Sequence, residues 1–167
     1  MVVSSIKTGA LMIAWLVLSL CVAGQKQAQT VPGFRFFKLD KTAFTNKNLE
    51  TNKLLFFVFF DVSCDHCRHA MQNINQHIGE FKNTAIYLIT LDDEAGIKNF
   101  MSHFGQNLPG NKQVTILRDP QNEFINKFRP VKYPAMFLYS KSKKLIRYDD
   151  EPDHLADFLK QIKSAVK

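Results

Sequence analysis

The sequence lacks a run of basic residues, a second cysteine pair and an apolar stretch long enough to span a membrane. Its 22 lysines and arginines give a net charge of +7 but are scattered along the chain. No recognised nucleic-acid-binding motif accompanies them, so we expect a basic solvated surface and no nucleic-acid partner. The longest apolar run, residues 10–22, is shorter than the roughly 20 residues of a membrane-spanning helix.

The composition is that of one globular domain. The chain has 167 residues, of which 46% are hydrophobic and 22% are charged. This length allows a sizeable core but does not require two domains. Fifteen phenylalanines and a single tryptophan predict a core filled by Phe side chains.

Residues 1–24 have the features of a secretory signal peptide. A short start with one positive charge, Lys7, is followed by the apolar run, and the small residues Ala23 and Gly24 precede a polar stretch. We predict cleavage after Gly24 and export to the periplasm or cell envelope. A lipid anchor at Cys21 is an alternative, because residues 18–21 resemble a lipoprotein box, although Leu20 is bulky where a small residue is usual. An uncleaved anchor is a second alternative.

Apolar patterning predicts an α/β fold. We expect a flexible lead-in at residues 25–33, a domain at residues 34–167, and a loop with a short helical turn at residues 40–53. The strands are predicted at residues 34–39, 54–60, 85–91, 114–117, 135–139 and 145–148, and the helices at 64–81, 94–104, 119–128 and 152–166. From residue 54 onward, the order β-α-β-α-β-α-β-β-α predicts a three-layer α/β/α sandwich with a central mixed sheet.

Two details concern the helix predicted at residues 119–128. Asp119 is expected to be its N-cap, with Pro120 in the first turn. The spacing of Phe124, Ile125 and Phe128 predicts that all three face the core.

The most informative motif is Cys64-Asp65-His66-Cys67, at the point where an apolar strand turns into a helix. Free backbone N–H groups and the helix dipole stabilise an anion at the first cysteine, so Cys64 is the candidate nucleophile. Cys67 lies in line with the apolar positions Met71 and Ile74 and suits a shielded, resolving thiol. We expect His66 and Asp65 to tune the redox couple with opposing charges. No cofactor is needed beyond a redox-active Cys64–Cys67 disulfide.

Other interpretations of the pair remain open. The cysteine pair could be half of a zinc site, with His66 or His69 as further ligands, although structural zinc sites usually take four ligands from two separated pairs. It is an inert structural disulfide if the short loop serves only stability. A non-catalytic binding module or a metal-delivery protein would use the same two thiols differently.

The segment FFVFFDVSCDHCRHAM and the later runs ILRDPQNEF and YPAMFL resemble the thioredoxin superfamily. Within it, the similarity is to TlpA-like, AhpC/TSA-type envelope thiol–disulfide oxidoreductases, which share features with peroxiredoxins. The resemblance implies a thioredoxin-like fold, a cis peptide bond before Pro134, and a substrate surface in which Tyr133 and Pro134 lie against Cys64. It also implies a disulfide-containing protein substrate and an upstream dithiol electron donor, with reduction as the favoured direction.

Three positions depart from the family pattern. Ser63 replaces the usual Trp before the first cysteine, and Tyr133 replaces the frequent Thr before the proline. Val58 stands where thioredoxin itself has a buried Asp, so proton transfer to Cys67 requires water or another group, with Asp65 as a candidate. The context of Cys64 also lacks the nearby Thr that precedes a peroxidatic cysteine, which disfavours a peroxidase.

Overall fold

The computed structural model describes residues 26–165, which form a seven-stranded sheet with helices on both faces. The strands are β1 (Arg35–Lys38), β2 (Ala43–Thr45), β3 (Leu54–Phe59), β4 (Thr84–Thr90), β5 (Val114–Arg118), β6 (Ala135–Tyr139) and β7 (Leu145–Asp149). The helices are α1 (Asp65–Gln76), α2 (Glu94–Phe104), α3 (Glu123–Phe128) and α4 (Leu155–Ala165). One 3₁₀ turn, Ile78–Glu80, follows α1, and a second, Pro152–His154, precedes α4.

The sheet is mixed, with the strand order β2-β1-β5-β4-β3-β6-β7. β4 pairs in parallel with β3 and β5, and the other neighbours are antiparallel. Every residue of β3 and β4 is buried, as expected for central strands covered by helices on both faces. The predicted α/β/α sandwich with a central mixed sheet is therefore confirmed.

The two faces of the sheet carry different cores. Helices α1, α2 and α4 cover one face with a core that mixes aliphatic, Met and Phe side chains and includes Cys67. Helix α3 and the N-terminal part of the domain cover the other face, which is dominated by aromatic rings. Rings of Phe124 and Phe128 stack at 4.2 Å between centroids. The prediction of a Phe-filled core holds best on this second face.

Several details differ from the sequence-based predictions. The segment at residues 40–53 forms the short strand β2 rather than a helical turn, because Phe44 is buried against Phe36 across an antiparallel pair. Helix α1 ends at Gln76, and a 3₁₀ turn replaces its expected last turn.

Helix α3 begins later than predicted, at Glu123. Asp119 caps it from a distance, since its buried carboxylate accepts hydrogen bonds from the backbone N–H groups of Glu123 (3.0 Å) and Phe124 (2.7 Å). Phe124 and Phe128 are about one turn apart and share a face of the helix, whereas Ile125 is rotated away from Phe124 by about 100°. Ile125 is consequently exposed, whereas Phe124 and Phe128 are buried.

The predicted flexible lead-in, residues 25–33, is in fact attached to the domain. The N–H of Ala28 bonds to the carbonyl of Phe128 at 3.1 Å, and Thr30 forms an antiparallel bridge with Lys144. Within the described residues, contacts with the rest of the domain therefore start at Ala28, six residues before Phe34.

The predicted signal peptide, its cleavage point and the alternative lipidation at Cys21 lie outside the described residues, as does Val166 at the end of the last predicted helix. Within residues 26–165, no helix combines the length and hydrophobicity that crossing a membrane requires.

Candidate active site

A tight turn carries the chain from β3 to α1. The carboxylate of Asp61 accepts hydrogen bonds from the backbone N–H of Ser63 at 2.7 Å and from its hydroxyl at 2.5 Å. The carbonyl of Asp61 accepts a third bond, from the N–H of Cys64 at 3.3 Å. Asp61 thereby sets the direction in which Cys64 enters the helix.

Cys64 is the N-cap residue of α1 and is partly exposed. Its backbone is extended (φ −81°, ψ 122°), and its Sγ accepts a hydrogen bond from the backbone N–H of Cys67 at 3.3 Å. A side chain at this position faces the unpaired N–H groups and the positive end of the helix dipole. The Cys64 sulfur thus occupies the N-cap position, in contact with a backbone N–H of the first helical turn.

Cys67 lies one turn later and is completely buried, packed in the same core as Met71 and Ile74. Both cysteines are free thiols. Burial is the main reason that the pKa of the Cys67 thiol is raised, and a hydrogen bond with the side chain of Cys64 raises it further. Burial therefore favours the protonated form of the Cys67 thiol.

The turn that leads into β6 forms the other side of the candidate site, opposite the N-terminus of α1. The Tyr133–Pro134 peptide bond is cis, and Pro134 is buried. Because Ala135 pairs with Phe59 across β6 and β3, Pro134 lies beside the segment that leaves β3 for Cys64.

The ring of Tyr133 packs on Phe59 with 4.9 Å between centroids. Burial is the main cause that raises the pKa of Tyr133 to about 12, followed by the negative charges of Asp61 and Asp92 and then by that of Cys67. Tyr133 and Cys64 both pack against the core cluster that contains Cys67.

Asp65 and His66, predicted to tune the pair, both point into solvent. Asp65 forms an ion pair with Arg68 at 2.5 Å. Among the hydrogen bonds of the described chain, neither side chain contacts a cysteine sulfur. Any tuning by these residues would be electrostatic, through the solvent, and their role stays a prediction.

Two carboxylates near the dithiol were not anticipated as part of the site. Asp92 accepts bonds from the backbone N–H of Val62 at 3.0 Å and from the hydroxyl of Thr90 at 2.6 Å. Asp61 carries a local signal, since Asp followed two residues later by Ser is typical of an Asx turn. The position of Asp92 depends on the pairing of β3 with β4 and has no such local signal.

A metal centre was one alternative for the cysteine pair. In the part of the chain that the structure describes, no three His, Cys, Asp or Glu side chains are arranged to hold a metal ion. His69 instead lies 3.5 Å from Asp153.

The fold and the dithiol at a helix N-terminus define a protein of the thioredoxin superfamily. A sequence model of the AhpC/TSA family matches residues 28–148, and the chain belongs to this family. No curated protein sequence is significantly similar to it.

Solved structures of the same fold include both thiol–disulfide oxidoreductases and peroxiredoxins. A protein from Chlorobium tepidum described as the thiol:disulfide interchange protein DsbE has 14% identity and a TM-score of 0.66, covering 86% of this chain and 100% of its own. The thioredoxin domain of a thiol-disulfide oxidoreductase from Bacteroides vulgatus has 15% identity and a TM-score of 0.66, covering 83% and 98%. Peroxidoxin BcpB from Mycobacterium tuberculosis has 15% identity and a TM-score of 0.67, covering 86% and 99%.

These comparisons confirm the thioredoxin-like fold and the AhpC/TSA-type assignment. At such low identities the similarity to the solved structures establishes the fold alone. The family places the chain among thioredoxin-like redox proteins, and the choice between disulfide exchange and peroxide reduction depends on the site itself.

Proposed function

We propose that this chain is an exported thiol–disulfide oxidoreductase that reduces disulfides of envelope proteins through Cys64 and Cys67. The observation that carries the proposal is the unequal placement of the two thiols. Cys64 is accessible at the N-terminus of α1, and Cys67 is buried one turn behind it. This arrangement suits a nucleophile followed by a resolving thiol.

The reaction takes place in two exchanges. The Cys64 thiolate attacks one sulfur of the substrate disulfide, so that a mixed disulfide forms and the other substrate sulfur leaves as a thiolate. Cys67 then loses its proton and attacks Cys64 Sγ, which forms the Cys64–Cys67 disulfide and releases the second substrate sulfur. Two electrons and two protons pass to the substrate.

The oxidised pair must then be reduced again. We propose that an upstream dithiol protein supplies the electrons, since the two thiols are themselves the redox group and no other cofactor is required. Tyr133 and Pro134 form the substrate-binding wall, and an incoming chain pairs with the backbone of Tyr133. Asp65 and His66 adjust the potential of the pair.

The proposed location follows from residues 1–24, whose pattern is that of a signal peptide. The mature protein would then function in the periplasm or cell envelope. Lipidation at Cys21 would attach it to the membrane, as the alternative to free secretion.

Insulin reduction by the mature chain, with dithiothreitol as the electron source, tests the reaction. We expect activity in the wild type, none in Cys64→Ser, and a stable mixed disulfide with the substrate in Cys67→Ser. Identification of the proteins trapped by Cys67→Ser in an envelope extract would name the partner. Rapid hydrogen peroxide consumption without insulin reduction would overturn the proposal in favour of a peroxidase.

A further inference from the structure

We propose that the C-terminal half of α3 and the loop that follows it form a docking ledge for the substrate, and that this ledge selects an apolar residue with an acidic neighbour close to the reactive disulfide. The inference rests on the proposed function and adds the class of substrate sequence. The ledge is a groove of about 440 Å³ lined by Ile125, Asn126, Arg129, Pro130 and Val131.

The first observation is the clustering of exposed apolar side chains. Within residues 26–165, the large hydrophobic side chains that are exposed are Ile125 (40%), Val131 (70%) and Ile146 (37%). Two of these three line the same groove. Isolated exposed hydrophobic residues are ordinary, but a cluster in a groove marks an interaction site.

The second observation is the charge of the ledge. Residues 125–132 contain three basic side chains and no Asp or Glu. Lys127 pairs with Glu123, and Lys132 pairs with Glu151. Arg129 is exposed and makes no ion pair within the described chain. A partner carboxylate is therefore the complementary group for Arg129.

The third observation is the short separation along the chain between Val131 and Tyr133, the residue proposed to pair with the substrate. Val131 precedes Tyr133 by two residues, and two residues of chain span at most about 7 Å. A substrate strand that pairs with Tyr133 therefore passes the ledge within a few residues of its cysteine. Its apolar side chain would enter the groove beside Ile125 and Val131, and its carboxylate would reach Arg129.

The ledge is held in place before a substrate arrives. The backbone N–H of Val131 donates to the hydroxyl of Tyr148 at 2.9 Å, and this hydroxyl donates to Asp150 at 2.9 Å. The ion pair between Lys132 and Glu151 fixes the same loop to the segment after β7. A fixed loop loses less conformational freedom on binding, which favours affinity.

The test compares three disulfide substrates: a peptide with Leu and Asp near its cysteine, the same peptide with Ser and Asn at those positions, and uncharged hydroxyethyl disulfide. We expect Val131→Ser to lower kcat/KM for the Leu/Asp peptide by about tenfold, the effect of losing about half of a buried Val contact. Arg129→Gln should lower it by roughly threefold at low salt, and the effect should fade as salt is added, because an exposed ion pair is weak and screened.

The controls are Ile146→Ser, which removes an exposed apolar side chain outside the ledge, and Lys112→Gln, which removes an exposed charge before β5. Neither should change the selectivity, and hydroxyethyl disulfide should be reduced equally by all variants. Equal kcat/KM for the two peptides in the wild type would contradict the proposed docking ledge but would leave the proposed oxidoreductase function unaffected. A wild type that reduces no hydroxyethyl disulfide would overturn the proposed function and the ledge with it.

Discussion

The two cysteines of the motif are three residues apart, yet their surroundings are opposite. Cys64 is partly exposed and receives a backbone hydrogen bond, whereas Cys67 is wholly buried in the core shared by α1, α2 and α4. The first sulfur lies at the positive end of the helix dipole, and burial favours the neutral form of the second. The difference shows how a single helical turn can separate attack from resolution.

The largest expected effect concerns alkylation of single cysteines. In Cys67→Ser, Cys64 should react with iodoacetamide at neutral pH at least on the order of 100-fold faster than Cys67 reacts in Cys64→Ser, because Cys64 is accessible whereas Cys67 is buried and its pKa is raised. Mass spectrometry of timed samples gives both rates. Similar alkylation rates in the two variants would contradict the assignment of Cys64 as the nucleophile and Cys67 as the shielded, resolving thiol.

The pH dependence of the free energy of unfolding is a second way to examine the different surroundings of Cys64 and Cys67. The pKa of Cys67 is raised in the folded, reduced protein, so its stabilising contribution is complete below the unfolded pKa of about 8.5. That contribution is lost as the pH rises above this value, by at most about 1.4 kcal/mol per pH unit. Urea unfolding of the reduced wild type and of Cys67→Ser, compared between pH 7 and pH 10, measures it.

The wild type should lose more stability than Cys67→Ser over this range. The other titratable groups, including the buried tyrosines, are common to both proteins, so the difference between the two profiles reports on Cys67 and on its interaction with Cys64. Parallel pH profiles would show that the Cys67 thiol does not titrate abnormally.

A smaller effect should come from Asp61, whose charge raises the pKa of Cys67 less than burial does. Asp61→Asn retains a side-chain oxygen that can accept the hydrogen bonds of Ser63 but removes the charge. In a Cys64→Ser background, we expect the substitution to accelerate alkylation of Cys67 by roughly two- to threefold, as expected for a charge acting through a partly solvated site. Asp65→Asn, at an exposed position paired with Arg68, is the matched control and should change the rate less.

The fold could be predicted to a large extent because its strongest patterns are local. The continuous apolar runs of β3 and β4 reflect burial on both faces, and the predicted bounds of α2 agree with the structure because Asp93 caps its start and Gly105 ends it. The strand β2 was missed because only three residues, with one buried Phe44, take part in it. The late start of α3 was missed because Asp119 caps the helix from four residues away.

The candidate site also combines residues that local patterns predict with residues that only the folded chain brings together. Cys64 and Cys67 follow from spacing alone, and their different exposure follows from the helical pattern. Tyr133 and Pro134 came only from the family resemblance, because they are about 70 residues distant and reach the site through the pairing of β6 with β3. Asp92 could not be predicted, because only the folded sheet brings it beside Val62.

The central claim is that Cys64 and Cys67 form a reversible redox couple. Equilibration of the mature protein in dithiothreitol or glutathione buffers of known potential, followed by mass spectrometry of the trapped thiols, tests it directly. The account predicts one two-electron transition, with a mass loss of two hydrogens and a midpoint between about −270 and −120 mV. Two thiols that remain unlinked at every potential, or Cys64 oxidised alone without a bond to Cys67, would contradict it.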